Sequence, residues 1–524
     1  MKFIKKYWIG LILVLTPLLY TLQLRGNDDK AKVKNLAVLG EIMNVVQTQG
    51  ITEESNETLS EYVIQGMLDR LDPHSNFFNV SDFKLMREDQ RGSFFGIGAT
   101  IQQQAEGTTI IAPLRGGPAD RAGIRAGDVI KKINGEETEV MTSNQALQKL
   151  RGQKNTPVKI EIQRPGYPER LIMTIVRAEI PNNSIYFSFM LDATTGYILI
   201  RDFSESTGAE FAKSISTLRR QGMQRLVLDL RGNGGGLLDA AIDVSKELLG
   251  PSESIVSIKG RDEVDQETFQ TDEDGRLNPF PLVVLINRSS ASASEIVAGA
   301  VQDHDRGLIL GTSSWGKGLV QTVMQVGRQK GLALTTARYY TPSGRSIQRD
   351  YEHGWDEYFN PEEETDHAII QKGPQFKTDL GRTVYGGGGI NPDYFIPQEK
   401  MTPFIATMRV RHSAFFKFAV IEKERNGFKA NQVVDNEMIT RFRQWVNTQP
   451  TITYTAQDWD ANTEGIRRML AVDLTNVAFT QEEGQKLLLQ RDPVIQKTLE
   501  VFNEADLLVK RKQLNDQAKI LKAS

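Results

Sequence analysis

The stretch LVLDLRGNGGG, residues 226–236, decides the class of fold. Its branched apolar residues have the length and composition of a buried β-strand, and the glycines after them form a turn ahead of an apolar helical pattern at residues 237–248. Backbone N–H groups in such a turn suit an anion, either a phosphate or the oxyanion of acyl transfer. The spacing differs from that of phosphate-binding and dinucleotide-binding loops. Taken alone, the stretch is therefore best interpreted as a tight turn.

A second strand, at residues 282–286, runs into the serine-rich segment NRSSASASE, residues 287–295, and then into an apolar helix. Small residues at a strand-to-helix turn are how α/β enzymes expose a nucleophilic hydroxyl. Four serines are candidates, at positions 289, 290, 292 and 294. The same serines could instead cap the helix by accepting its first amides. Composition alone does not choose between these two roles.

Around these two turns, apolar strands at residues 196–200, 225–230, 282–286 and 307–310 alternate with helical patterns at 207–220, 237–248 and 293–302. This alternation is typical of βα units and a largely parallel sheet. Residues 93–177 differ, because short β-branched segments (97–102, 108–112, 158–163, 171–176) surround two short helical patterns (119–122, 143–150). Residues 34–69 and 401–524 have helical periodicity. We expect an α/β fold with an inserted small β domain and helical segments at both ends.

Composition narrows the class of function. A chain of 524 residues is long enough for two to four domains. Its net charge of -3 offers no basic field for nucleic acid. The absence of cysteine excludes disulfides, thiolate metal sites, cysteine nucleophiles and lipid attachment through cysteine.

The amino terminus has the pattern of a membrane anchor. Lys2, Lys5 and Lys6 precede an apolar run from Tyr7 to Leu24, close to the roughly 20 residues that span a bilayer. No clear small-x-small cleavage site follows, so we expect an uncleaved anchor whose basic end stays inside. This predicts an exported protein on the periplasmic face of an inner membrane. The alternative is a buried helix of the globular body.

A nucleophilic serine needs a base. The five histidines, at positions 74, 304, 353, 367 and 412, are not in a G-x-S-x-G setting, so a histidine triad is not the leading interpretation. Lys317, between Gly316 and Gly318, is another candidate base. Burial can lower a lysine pKa from about 10.4 by about 3–5 units, which allows an uncharged amine near neutral pH. Most lysines between glycines are surface residues, so Lys317 alone is a weak signal.

Several motifs follow one another along the chain: LDPHS (71–75), the glycine turn (234–236), SASEIVAGAVQD (292–303), GKG (316–318) with Gln321, ARYYTPSGRSIQ (337–348) and GINPD (389–393). Together they resemble the carboxyl-terminal processing peptidases, which are PDZ-containing Ser–Lys endopeptidases. The resemblance covers roughly residues 66–393.

For the catalytic part, the resemblance implies that Ser292 is the nucleophile, Lys317 the general base and Gln321 the residue that orients the lysine amine. It implies a core like that of crotonase and ClpP, with Ser290 and Ser294 as supporting residues. The oxyanion hole would use the amide of Ala293 and one amide of the glycine turn. Whether Gly235 or Gly236 supplies it stays open. No metal ion or organic cofactor is required by this chemistry.

The motifs SFFGIG (93–98), PLRGGPA (113–119) and AGIRAGDVIKKING (122–135) resemble a PDZ domain of the same family. In such domains a glycine-containing loop, here Phe95, Gly96, Ile97 and Gly98, captures a terminal carboxylate while the peptide adds as a strand. An apolar last residue of the peptide is expected. Arg164 resembles a position that in some relatives contacts the catalytic part when substrate is bound.

The sequence thus predicts five segments: a signal anchor (1–25), an N-terminal helical region (26–90), a PDZ-like domain (91–178), a Ser–Lys peptidase core (179–400) and a C-terminal helical extension (401–524). We expect an endopeptidase that binds free, apolar protein C-termini. The alternatives are a catalytically silent PDZ scaffold and another hydrolase on the same core. A homo-oligomer or an adaptor protein as a further partner, and the natural substrate, stay open.

Overall fold

The computed structural model describes residues 34–104, 106–262, 266–273, 278–352, 354, 358–359, 373–397, 399–426 and 433–523. The predicted anchor, residues 1–25, lies outside this part of the chain. Among the described helices, none combines the length and the apolar character that crossing a bilayer requires. The described residues divide into two compact units, one within Met1–Phe78 and Val323–Leu334 and the other within Asn79–Thr322 and Thr335–Ser524. The five predicted segments stay a prediction.

The helices and strands are numbered in chain order. The strands are β1 (Asn76–Phe78), β2 (Ser93–Gly96), β3 (Ala99–Gln104), β4 (Gly107–Pro113), β5 (Val129–Ile133), β6 (Glu136–Glu137), β7 (Pro157–Gln163), β8 (Leu171–Val176), β9 (Ala178–Pro181), β10 (Ile185–Met190), β11 (Thr195–Ile200), β12 (Arg225–Asp229), β13 (Ser254–Gly260), β14 (Gln266–Gln270), β15 (Leu282–Ile286), β16 (Leu308–Gly311), β17 (Leu319–Val326), β18 (Lys330–Tyr340), β19 (Gln375–Lys377), β20 (Thr383–Tyr385) and β21 (Tyr394–Phe395). The helices are α1 (residues 34–49), α2 (Asn56–Leu68), α3 (Val80–Gln90), α4 (Pro118–Arg121), α5 (Ser143–Leu150), α6 (Thr207–Arg220), α7 (Leu238–Leu248), α8 (Ala293–Asp303), α9 (Pro403–Ala406, continued by a π-helical turn at Thr407–Arg411), α10 (Ala414–Asn426), α11 (Asn436–Asn447), α12 (Ala456–Ala461), α13 (Thr463–Ala478), α14 (Gln481–Leu489) and α15 (Pro493–Ala523).

The smaller unit contains α1, α2 and β1. Ser55 begins α2 by accepting the amide of Thr58, as an N-cap serine does. Strand β1 pairs antiparallel with residues 331–333 of β18. The predicted helices ahead of the first strand are therefore present, and β1 is an addition that the sequence analysis did not contain.

The central sheet of the larger unit has the strand order β10-β11-β12-β15-β16-β21. Strand β10 is antiparallel to β11, and the pairs from β11 to β21 are parallel. The largely parallel sheet expected from the sequence is confirmed. Alternate residues of β12 and β15 are buried on opposite faces, which is why both strands read as continuous apolar runs.

Two layers of helices cover this sheet. Helices α6, α7 and α8 share one apolar core with Leu226, Leu228 and Val284 on the first face. The second face, with Val227 and Val283, packs against the C-terminal helix α15. The last helix is therefore a layer of the α/β core, not an appendage to it.

The small β domain contains a sheet in the order β3-β4-β5-β7-β8, with β6 paired to β5. Helix α5 begins with a capping box between Thr142 and Gln145, and its buried residues Ala146 and Leu150 contribute to the core of the domain. Strand β3 is at the edge of this sheet, with β4 as its partner. Among the described residues β3 has no second strand partner, and an edge of this kind can pair with an added strand.

Most of the C-terminal helical part forms a separate bundle. Its core contains Phe415, Phe442 and Trp459, and Ile111 and Ala126 of the small β domain pack against that core. An ion pair between Lys417 and Glu106 joins the same two regions. The predicted C-terminal extension thus packs against two regions. Helices α9–α13 pack against the small β domain, and α15 packs against the central sheet.

Because α15 packs against the central sheet, two residues one turn apart on this helix should differ in their contribution to stability. Ile495 is buried against the sheet, with 3% of its surface exposed, whereas Leu499 is 38% exposed. Ile495→Ala should lower the free energy of unfolding by about 2–5 kcal/mol and Leu499→Ala by about 1 kcal/mol or less. Urea denaturation of both variants measures this. Equal losses would contradict the packing of α15 as a core layer.

Candidate active site

The glycine turn and the serine turn lie side by side because the strands that lead into them are neighbours. Strands β12 and β15 are parallel, with Asp229 opposite Leu285 at their carboxyl ends. Gly235 approaches the serine turn so closely that a Cβ atom there would lie 2.9 Å from the Cβ of Ser292 and 3.1 Å from the amide nitrogen of Ala293. Only glycine fits this contact.

The structure separates the four candidate serines. Ser290 and Ser294 are fully buried, and their hydroxyls donate to the carbonyls of Leu230 (2.8 Å) and Asn233 (2.9 Å). Both therefore join the serine turn to the glycine turn. Ser289 is exposed, and Ser292 is partly exposed at the start of α8.

Ser292 has a strained backbone, with φ 54° and ψ −113°. Positive φ is uncommon for a residue with a side chain and often marks a functional site. The same geometry, a sharp turn from strand to helix, presents a nucleophilic hydroxyl in α/β enzymes. Of the serines in this turn, Ser292 combines strain, partial exposure and a helix amino terminus.

Glu295 connects the turn of Ser292 to the loop of Lys317. One carboxylate oxygen, Oε2, accepts the amides of Ser292 (2.8 Å) and Lys317 (2.9 Å). The other, Oε1, accepts the hydroxyl of Ser314 (2.6 Å) and the amide of Gly316 (2.7 Å). Because two amide nitrogens lie within 3 Å of one oxygen atom, the backbones of the predicted nucleophile and the predicted base meet at this carboxylate.

Burial makes this carboxyl group sensitive to pH. The side chain of Glu295 is fully buried, and desolvation raises its pKa to about 7, although the hydrogen bonds from Ser314, Gly316 and Lys317 act to lower it. The sequence analysis assigned no role to Glu295. The signal was present, because a glutamate three residues after a helix-capping serine forms a capping box.

Tyr339 binds the carbonyl group of Ser292, the residue with the strained backbone. Its hydroxyl donates to the carbonyl of Ser292 at 3.2 Å. The tyrosine is buried, and burial together with the charge of Glu295 raises its pKa well above the usual value, so it stays a donor. The amide and the carbonyl of Ser292 are thus both held by buried side chains.

Lys317 is partly buried in the loop between β16 and β17, and Gln321 follows on β17. The side-chain nitrogen Nε2 of Gln321 donates to the hydroxyl of Thr335 on the neighbouring strand at 3.5 Å. The structure brings the backbone of Lys317 to the serine turn through Glu295. The roles of Lys317 as base and Gln321 as its orienting residue stay predictions.

Gly235 and Gly236, the two candidates for the glycine amide of the oxyanion hole, differ in their hydrogen bonds. The amide of Gly235 donates to Oδ1 of Asn233 at 2.8 Å. The amides of Gly236 and Ala293 have no acceptor within the described chain. Gly236 is therefore better placed than Gly235 to donate an amide to a ligand at this turn.

The predicted carboxylate-binding loop has the required backbone. Phe95 and Gly96 belong to β2, which pairs with β9, and Ile97 and Gly98 form the loop to β3. Gly98 has φ 71°, and the amides of Ile97 and Gly98 find no acceptor in the part of the chain that the structure describes. Unsatisfied neighbouring amides at a glycine turn form an anion-binding concavity.

A cavity of about 770 Å³ extends from this domain to the glycine turn. Leu147 and Arg151, in and just after α5, line one part, and Gly235 and Gly236 line another. Residues of α3, among them Met86, also line the cavity. An extended peptide could occupy this cavity with one end near α5 and the other at the glycine turn.

Arg164 is buried within the small β domain. Its guanidinium makes two 2.8 Å hydrogen bonds to the carboxylate of Asp128 and one to the carbonyl of Gly123. The hydrogen bonds to Asp128 raise the pKa of Arg164, although burial acts to lower it. Its coupling to the catalytic part stays a prediction, and in this structure its partners belong to its own domain.

Glu253, His304 and Asp379 form a cluster whose ligand-type atoms lie within 4.8 Å of one another. The ammonium group of Lys512 on α15 lies 2.8 Å from Glu253 and 2.6 Å from Asp379. Both ring nitrogens of His304 are engaged, by Asp379 (3.0 Å) and the carbonyl of Ser254 (2.7 Å). This cluster is an ion-pair network that attaches α15 to the core, and its histidine is not directed to Ser292.

Comparison with known proteins places these features in a family. Residues 194–354 match the model of peptidase family S41, and residues 109–164 match that of a PDZ domain. A carboxy-terminal-processing protease of Bartonella bacilliformis is 40% identical over 326 residues, which are 62% of this chain and 74% of that protein. The carboxy-terminal processing protease CtpB of Bacillus subtilis is 33% identical over 332 residues, 63% of this chain and 68% of that protein. Among solved structures, the photosystem II D1 C-terminal processing protease is 28% identical with a TM-score of 0.36, covering 67% of this chain and 85% of that one.

An α/β core with an accessible serine at a strand-to-helix turn and an inserted PDZ domain defines a serine peptidase of the S41 type. The chain belongs to the carboxy-terminal processing proteases of this family.

The clamp formed by Glu295 predicts a defect in the chemical step. In Glu295→Gln an amide NH₂ replaces one acceptor oxygen and meets amide donors, so the two loops should separate and kcat should fall at least about 10-fold. The affinity of the PDZ domain for a peptide should not change. Glu422→Gln is the matched control, because Glu422 is equally buried but bonds Arg441 in the C-terminal bundle. Loss of kcat in the control, or none in Glu295→Gln, would contradict the clamp.

The raised pKa of Glu295 also predicts a pH dependence of stability. The folded state holds this proton up to about pH 7, whereas the unfolded state loses it near pH 4.5, so the free energy of unfolding falls as pH rises between these values. The contribution is at most about 3 kcal/mol, is present below pH 4.5 and is lost above about pH 7. Urea denaturation from pH 4 to 8 should show this slope in the wild type and not in Glu295→Gln. Parallel curves would refute the raised pKa.

Proposed function

We propose that this protease cleaves exported proteins near their carboxyl termini through a Ser292–Lys317 dyad. The observation that carries the proposal is the shared carboxylate of Glu295, which holds the amides of Ser292 and Lys317 on one oxygen atom. Nucleophilic catalysis by serine requires the base within reach of the hydroxyl, and the clamp keeps the two loops together.

In this mechanism Oγ of Ser292 attacks the scissile carbonyl while the uncharged amine of Lys317 takes its proton. The same amine then gives the proton to the leaving amine, and water hydrolyses the acyl-enzyme. Negative charge on the carbonyl oxygen is stabilised by the amides of Ala293 and Gly236. Gln321 orients the lysine amine. Lysine suits this role because desolvation shifts its pKa readily.

Substrate capture takes place in the PDZ domain. The terminal carboxylate accepts the amides of Ile97 and Gly98, and the peptide pairs with the open edge of β3. The preceding part of the substrate then follows the cavity from α5 to the glycine turn. Because backbone pairing tolerates many side chains, this mode selects free, unstructured tails more than particular sequences. An apolar last residue is favoured.

The amino-terminal sequence supports a proposal for where in the cell the protease acts. Three lysines precede the apolar run of residues 7–24, which supports an uncleaved anchor with the protease on the periplasmic face of the inner membrane. Fractionation after alkaline extraction, followed by protease digestion of intact spheroplasts, tests both parts. Recovery in the soluble cytoplasmic fraction would contradict the proposal.

The dyad is tested with an unfolded substrate that has a free apolar carboxyl terminus, with mass spectrometry to locate the cuts. Ser292→Ala should abolish cleavage, and Lys317→Arg should reduce it at least about 1000-fold, since a guanidinium does not release its proton. The controls are Ser289→Ala, an exposed serine of the same turn, and Lys330→Arg, a lysine that pairs with Glu57 in the smaller unit. Full activity of Lys317→Arg would refute the lysine base.

Amidation of the substrate tests the capture step separately. The amidated peptide lacks the terminal charge, so its KM should rise while cuts in the free-acid peptide continue. Binding of the tail without any cleavage by the wild type, at neutral and raised pH, would instead favour the silent scaffold. Turnover of small esters but not of peptides would favour another hydrolase.

A further inference from the structure

The residue directly before the glycine turn, Asn233, has no part in the mechanism above. Asn233 has no exposed surface. Its Nδ2 donates to the carbonyl of Ile200 at the end of β11 (2.9 Å), and its Oδ1 accepts the amide of Gly235 (2.8 Å). One side chain therefore connects the central sheet to the turn that follows the next strand.

The backbone of the same residue connects the turn to the nucleophile. The carbonyl of Asn233 accepts the amide of Ala291 at 3.0 Å and the hydroxyl of Ser294 at 2.9 Å. These two donors flank Ser292 in the sequence. Asn233 thus lies at the junction of three segments, the end of β11, the glycine turn and the serine turn.

These bonds orient two peptide planes. The amide of Gly235 is held by Asn233, so it is not available to a substrate. The carbonyl of Gly235 accepts the amide of Phe203 at 3.0 Å, and in a trans peptide the next N–H points the opposite way. The amide of Gly236 is consequently directed away from Phe203. Without Asn233, the peptide plane between Gly234 and Gly235 would lose its side-chain acceptor, and glycine adopts both signs of φ readily.

We propose that Asn233 is a positioning residue of this protease, which holds the amide of Gly235 inward and so selects the amide of Gly236 as the oxyanion donor beside Ala293. This inference rests on the proposed function, since it names the geometry that the Ser292 mechanism requires. Asn233 does not touch the substrate. It acts through the peptide plane between Gly234 and Gly235, which adjoins the plane that carries the amide of Gly236.

The test is Asn233→Ala in the full chain, with steady-state kinetics, a tail-binding measurement, and the affinity for a peptide aldehyde. The aldehyde adds reversibly to Oγ of a serine, and the oxygen of the resulting hemiacetal occupies the oxyanion position. We expect kcat and aldehyde affinity to fall together, on the order of 100-fold, with KM and tail affinity nearly unchanged. A merely structural role would lower stability without this paired loss.

Asn278→Ala is the matched control. Asn278 also donates its Nδ2 to a backbone carbonyl, that of Glu247 (2.7 Å), but it precedes β15, whereas the serine turn follows the opposite end of that strand. The Asn278→Ala variant should have a lower free energy of unfolding and an unchanged kcat. If Asn233→Ala does not fold, Ser294→Ala removes one of the donors to Asn233 with a smaller change, and kcat and aldehyde affinity should fall about 10-fold together.

A folded Asn233→Ala that keeps kcat and aldehyde affinity within about 3-fold of the wild type overturns the inference. So does an unchanged Ser294→Ala where Asn233→Ala does not fold. Failure of the proposed function gives a different result, because the wild type itself would then not cleave, or would cleave without Ser292.

Discussion

The catalytic region depends on one buried carboxylate. Glu295 accepts four donors, two from the loop before Lys317, one from Lys317 itself and one from Ser292. A buried carboxylate is costly unless its hydrogen bonds are satisfied, and here the donors that satisfy it belong to the turn of Ser292 and the loop of Lys317. The same burial that makes the clamp specific brings its pKa to about 7. Tyr339 completes the support by binding the carbonyl of Ser292.

The second constraint is the central sheet, which is buried on both faces. Helices α6–α8 supply one covering layer and α15, the end of the chain, supplies the other. The position of the glycine turn depends on this arrangement of the sheet and its covering layers. Arg231, just before this turn, donates to Asp229 at the end of β12 and to Asp492 just before α15, each at 2.7 Å. The C-terminal helix is thus connected to the start of the glycine turn, and the bundle before it packs against the PDZ domain.

Much of this could be predicted because the signals are local. The runs of β12 and β15 and the helix at residues 207–220 have periodicities that identify them, and the predicted spans of α5 and α6 agree with the structure. Strand β10 and the β17–β18 hairpin were missed, because partly exposed strands lack a continuous apolar run. The assignment of Ser292 and Lys317 as catalytic residues rests on motif resemblance and stays a prediction. Glu295, Tyr339 and Asn233 were quoted in motifs without a role, because their partners are distant in sequence.

The sequence by itself determined the class of fold, the presence of a PDZ domain and the residue types of a serine peptidase, since apolar periodicity and motif spacing are properties of short segments. Only the tertiary structure decided which serines are buried, which glycine amide is engaged and where the C-terminal helix packs. These depend on contacts between residues that are tens to hundreds of positions apart, such as Ser294 with Asn233 and Arg231 with Asp492. Hydrogen-bond partners at such separation follow from the packing of whole elements, and a linear pattern does not contain that information.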